Sequence, residues 1–173
     1  MGIVKVPTRE MFWGDEMCKG TWIESVISRY RFEQILSCWH WTNTYDMDRV
    51  TYKENKRIDP FFTVKTFMNK LSSNCSRWYR LYQKFDIDEC CFAFKGRHRA
   101  RCYNPNKPCK WHFKAYCLNC AETGYLYSFF MYQGKDEDRS AYNDCAATEY
   151  PVKRLLSDPR LHSSGHILAL DNW

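Results

Sequence analysis

The stretch Phe85-Asp86-Ile87-Asp88-Glu89-Cys90-Cys91-Phe92-Ala93-Phe94 decides the fold, because its side chains alternate at a period of two. On a strand, Asp86, Asp88, Cys90, Phe92 and Phe94 share one face, and Phe85, Ile87, Glu89, Cys91 and Ala93 share the other. Asp88 thus stands inside a largely apolar strand, with Asp86 on its own face and Glu89 on the other. On a sheet covered on both faces it would be buried, where an ionised carboxylate is costly unless a cation or a donor compensates it.

Downstream of this strand the signals remain those of a sheet. Trp111 to Cys120 fits a second strand, Glu122-Thr123-Gly124 a turn and Tyr125 to Tyr132 a third, which makes a three-stranded antiparallel meander. Gly134 to Glu149 is a polar connection, Pro151 to Leu156 a short helix, and His166 to Leu170 a fourth, fully buried strand. Asp171 follows that strand directly, at its carboxyl end, where open sheets place ligands.

Upstream the period is helical. After a Ser28 N-cap, Phe32, Ile35, Leu36 and Trp39 form one apolar stripe. Asp46 to Asp59 is polar and without a sustained period, and reads as a loop. Asp59-Pro60 reads as a helix start. Val64, Phe67, Met68, Leu71, Cys75, Trp78 and Tyr82 then keep helical spacing, as core residues. The organisation expected is a helical region over residues 1–83 followed by a mixed region over 84–173, an α+β or α/β chain.

Composition sets the outer bounds. The chain has 173 residues, 45% hydrophobic and 27% charged, which excludes wholesale disorder. Its longest apolar run, Tyr125 to Tyr132, falls far short of the roughly 20 residues that span a bilayer, so no membrane role is expected. Lys5, Arg9 and Glu10 break any signal-peptide core, which points to an intracellular, reducing compartment and free thiols for the ten cysteines. Cys117 and Cys120 have a zinc-like spacing. Cys102 and Cys109, the nearby candidates for a second pair, are too far apart for the usual pattern, so zinc is not expected.

Charge is concentrated. From Cys90 to Ala121 there are seven basic residues (Lys95, Arg97, Arg99, Arg101, Lys107, Lys110 and Lys114) and no acid. This segment carries +7 against a formal net charge of +6 for the chain, leaving −1 for the rest. Interleaved with His98, Tyr103, Trp111, His112 and Phe113, it suits a phosphate backbone with aromatic groups beside it. The plain alternative is a solvated edge with protective charges. Asp88 and Asp171 on neighbouring strands would be the minimum for holding Mg²⁺, against the alternative of a satisfied strand carboxylate and a turn residue.

Several strings in order resemble the piggyBac-type transposases. Ile87-Asp-Glu-Cys-Cys-Phe-Ala-Phe-Lys-Gly-Arg97 is similar to the family's first catalytic block, and Tyr103-Asn-Pro-Asn-Lys-Pro-Cys-Lys-Trp111 to the block after it. Lys114, Thr123-Gly-Tyr125, Tyr132-Gln-Gly-Lys135 and Asp171-Asn-Trp173 fit the positions that follow. Upstream, Arg31-Phe-Glu-Gln-Ile-Leu36, Lys56-Arg-Ile-Asp-Pro60 and Met1-Gly-Ile-Val-Lys-Val-Pro7 match the helical lead-in and an earlier internal segment.

The resemblance implies a ribonuclease-H-like core behind a helical DNA-binding and dimerisation region. It implies three aspartates holding two divalent ions, Mg²⁺ or Mn²⁺, for DNA nicking and strand transfer. Asp88 takes the first aspartate's role and Asp171 the second's, while Glu89 points to the other face. The third aspartate lies downstream of the second in the family, and only Asn172 and Trp173 follow Asp171 here. The expectation is therefore a truncated transposase fragment, inactive alone, with transposon ends and target DNA as partners, a homodimer through the helical region, and a nuclear location. The alternative function is a transposon-derived binding protein that keeps the basic segment without catalysis.

Overall fold

A computed structural model describes residues 6, 8–14, 22–134, 145–162 and 165–170. The chain forms two compact units, residues 1–40 and 41–173. The first contains helices α1 (Trp22–Val26) and α2 (Arg29–Cys38). Ser28 caps α2 as its sequence predicts, its hydroxyl accepting from the Arg31 amide. Trp13 donates its indole N–H to the Ile27 carbonyl at 2.7 Å.

The second unit is mixed α/β. Helices α3 (Arg49–Ile58) and α4 (Phe62–Trp78) precede strands β1 (Lys84–Ala93), β2 (Cys102–Tyr103), β3 (Trp111–Cys120) and β4 (Leu126–Met131). Helix α5 (Glu149–Leu155) and strand β5 (Ile167–Leu170) complete it. The expected loop at Asp46–Asp59 is instead largely α3. Asp48 starts it, one carboxylate oxygen accepting from the amides of Val50 and Thr51 at 2.7 and 2.9 Å. Lys56 and Arg57 lie in its last turn, favourable to the helix dipole. Tyr52 packs edge-on against Phe62 with ring centres 5.2 Å apart, so one aromatic contact substitutes for the apolar stripe that is missing. Helix α4 begins at Phe62, two residues beyond Pro60, with Asp59 accepting from the Phe61 amide at 2.9 Å.

The antiparallel meander is present as β1–β3–β4. β1 pairs with β3 from Phe85↔Cys120 to Ala93↔His112, and β3 pairs with β4. β5 lies on the other side of β1 and runs parallel to it, from Lys84↔Ile167 to Ile87↔Leu170. β2 adds two residues beside the start of β3. At Gly124 φ is +67°, and its amide closes the β3–β4 turn on the Cys120 carbonyl at 2.8 Å.

One face of the sheet carries the core. Phe85, Ile87, Tyr116, Leu118 and Phe130 meet Tyr150 and Leu155 of α5 there. Helix α4 packs along β4, where Ser72 Oγ accepts the Phe129 amide at 3.1 Å and so covers that strand's outer edge. None of the α4 side chains is fully buried, and Trp78 is 77% exposed, so its aromatic residues are not the core the spacing suggests. β5 is not the fully buried strand expected either. Ile167 and Leu170 are 54% and 52% exposed, because β5 is the last strand on its side among the described residues.

Candidate functional site

β1 positions the acidic residue. Hydrogen bonded by β3 on one side and β5 on the other, it presents Asp88 opposite Cys117, on the face away from the core. Asp88 is exposed, contrary to the burial its apolar neighbours suggest. Its side chain reaches solvent, although Ala115 and Cys117 on the same face of the sheet are buried. One of its oxygens accepts the Glu89 amide at 2.6 Å. Asp86, on the same face, accepts from the Asn119 side-chain amide at 3.1 Å. The parallel ladder ends at Ile87↔Leu170. Asp171, next in sequence, lies outside the described residues, as does Lys135.

An exposed carboxylate suits one ligand position of a hard divalent cation. Among the described residues no three His, Cys, Asp or Glu side chains gather into a metal-binding cluster. Cys117 and Cys120 do not face each other. The register sets Cys117 opposite Asp88 and Cys120 opposite Phe85, on the two faces of the sheet.

The seven basic residues fall into two groups. Lys95, Arg97, Arg99, Lys107 and Lys110 are exposed on the excursion between β1 and β3. Arg99 also donates to the Ile58 carbonyl at 3.3 Å. Arg101 turns inward: it donates to the carbonyls of Lys95 and Gly96, and its guanidinium lies 4.0 Å from the centre of the Trp111 ring. Lys114 is only 20% exposed and pairs with Glu89 at 2.9 Å. Burial opposes its charge, but hydrogen bonds with Tyr116 and Glu89 outweigh this and raise its pKa. The acid just outside the acid-free segment therefore neutralises one of its cations.

The excursion is held by an aromatic cluster. The Phe94 and Phe113 rings stack at 4.2 Å, and His98 meets Phe113 edge-on at 4.9 Å while its Nε2 bonds the Pro60 carbonyl at 3.0 Å. Gly96 is the glycine of Phe-Lys-Gly-Arg. A Cβ there would stand 2.6 Å from the Phe94 ring.

The sequence pattern of the family described as Transposase IS4 matches residues 1–173. The chain belongs to the piggyBac-type transposases. This transposase chain is 29% identical over 137 residues to human piggyBac transposable element-derived protein 3, covering 78% of this chain and 21% of that protein. The human chimeric ERCC6-PGBD3 protein gives the same identity over 137 residues, covering 12% of its length. A cryo-EM structure of the piggyBac transposase synaptic complex with hairpin DNA superposes with a TM-score of 0.68 at 23% identity, over 90% of this chain and 35% of that one. The chain thus spans about a fifth or less of the length of its curated relatives.

Sequence reasoning missed one feature. Arg77, Trp78, Arg80 and Tyr82 line a cleft near the junction of α4 and β1. Their basic and aromatic alternation was the available signal, obscured because Trp78 and Tyr82 also fit the helical stripe.

Proposed function

We propose that this chain is the part of a DDE-type DNA transposase that presents the first two aspartates and a basic DNA-holding loop. The parallel ladder between β1 and β5 carries the reading. Ile87 and Leu170 are its last partners, and Asp88 and Asp171 are the next residues of the two strands in sequence. A parallel fourth strand beside the first strand of an antiparallel meander, with a helix between them in sequence, supports a ribonuclease-H-like core over 84–173. Residues 1–83 are the helical DNA-binding and dimerisation region in this reading. That functional division differs from the compact-unit boundary at His40/Trp41.

Asp88, with Asp171, would hold divalent Mg²⁺ or Mn²⁺, which supplies charge neutralisation at a scissile phosphate and a more acidic water or hydroxyl. The exposed lysines and arginines of the excursion hold the DNA backbone as point charges and forks. DNA with transposon ends is the partner, the nucleus is the compartment, and nicking and strand transfer are the chemistry these two aspartates serve in this reading.

The test has two arms. Duplex DNA is titrated into the 173-residue chain at increasing salt, and Mn²⁺ binding is followed by electron paramagnetic resonance for the wild type and Asp88→Ala. The expected outcome is salt-sensitive duplex binding and weak Mn²⁺ binding lost in the variant. Absence of duplex binding at low salt, or Mn²⁺ binding indifferent to Asp88, would overturn the reading.

A further inference from the structure

A cleft of about 650 Å³ lies where the end of α4 meets β1 and the approach to β5. Its wall includes Arg77, Trp78, Arg80, Tyr82, Arg160 and His166, and among the described residues no Asp or Glu lines it. Trp78 and Tyr82 are 77% and 53% exposed, so two large aromatic faces stay in water at its rim. The Arg77 guanidinium lies 5.0 Å from the Trp78 ring centre. Arg160 is fixed in place by Asp158 at 2.6 Å and by the Ser76 carbonyl at 2.9 Å, which makes that wall rigid. None of these residues belongs to the loop from Lys95 to Lys114.

We infer that this cleft holds an unpaired nucleotide of single-stranded DNA. Its volume falls within the range of small-ligand pockets, and an exposed Trp or Tyr can stack only on a base whose face is free. Duplex DNA presents base edges and phosphates, and would leave both rings unused. Arg80 and Arg77 lie next to the rings in sequence, where the phosphate attached to a stacked base would be met by a cation. The cleft is thus a second nucleic-acid site, and it rests on the reading above only in taking DNA as the substrate.

The test measures fluorescence anisotropy of labelled oligothymidylate and of blunt duplex DNA with the full chain. Trp78→Ala and Tyr82→Ala are each expected to weaken oligothymidylate binding roughly tenfold and blunt-duplex binding much less. Arg80→Ala should lower its salt dependence. Trp78 is largely in solvent, so its truncation leaves the fold intact. Oligothymidylate binding that is absent in the wild type, or undiminished in both aromatic variants, would overturn the inference. So would its displacement by polyglutamate at equal charge, which would assign the cleft to acidic peptides. Absence of duplex binding in the wild type, with oligothymidylate binding present and weakened in the aromatic variants, would instead count against the Lys95–Lys110 loop as a duplex site and leave the cleft standing.

Discussion

Lys114 donates to Glu89 across the β1–β3 pair at 2.9 Å, its ammonium 4.7 and 4.8 Å from the ring centres of Tyr116 and Tyr132. Both charged side chains are about one-fifth exposed. The pair therefore belongs to the packing of the sheet. Lys114→Met is expected to destabilise the chain by about 1–3 kcal/mol, because Glu89 is left half-buried without its donor. Urea denaturation reads this, and the salt dependence of duplex binding should not change.

The exposed cations behave differently. Replacing Lys95, Arg97, Lys107 and Lys110 with Ala should flatten the plot of log affinity against log salt by roughly 0.9 for each phosphate no longer neutralised. A melting temperature close to the wild type would accompany it, since surface charges away from packed features contribute little. An unaltered salt slope would remove the loop from the interface.

Gly96 sits where no side chain fits. Gly96→Ala places a methyl group 2.6 Å from the Phe94 ring, and that ring is stacked on Phe113 and cannot simply swing away. The expected cost is about 1–3 kcal/mol. Duplex affinity should fall as the loop between Phe94 and Arg101 loses its shape, measured alongside the urea midpoint.

Tyr127 and Asp158 give the second unit a pH signature. Burial, then the hydrogen bond to Asp158, push the Tyr127 hydroxyl up to about 12. The Arg160 guanidinium, above all, holds Asp158 below the usual carboxylate range. Asp158's contribution is present above the ordinary carboxylate pKa and is lost as the pH falls through its lowered folded value. Tyr127's contribution is complete below about 10, the ordinary tyrosine value, and is lost as the pH rises through about 12. Asp158→Asn should therefore lower stability at neutral pH and narrow its gap to the wild type in acid. Tyr127→Phe should cost about 0.5–1.5 kcal/mol at neutral pH. Thermal melts across the pH range check both.

Among the described residues β5 is an apolar edge, with Ile167 and Leu170 each more than half exposed. Such an edge is a template for strand addition. The isolated chain is expected to self-associate with rising concentration, and Ile167→Lys to suppress this in sedimentation velocity.

The strands were legible in the sequence because alternation is local. Phe85 and Ile87 point to one face whatever lies above it, and both are buried as their pattern demands. The exposure of Asp88 was not legible. Whether Asp88 is covered depends on what packs over it, and a period of two cannot report that. β5 failed for the same reason: Ile167-Leu-Ala-Leu170 reads as buried, but its outer side has no neighbour among the described residues. α3 was hidden because its stability rests on a cap and one ring contact, neither of which leaves an apolar stripe. The Lys114–Glu89 pair needed the register, since 25 residues separate the partners.

Ser72 holding the Phe129 amide sets a limit on stoichiometry. A stack of sheets extends indefinitely only when each copy offers two free borders, one to join and one to be joined. Here α4 occupies the border at β4, and the only other strand on that side among the described residues, β2, is two residues long. Among the described residues the border left for a second copy is β5, and in meeting it there the copy uses its own β5. Such an encounter closes on itself with twofold symmetry, so edge-to-edge pairing ends at dimers and does not seed fibres.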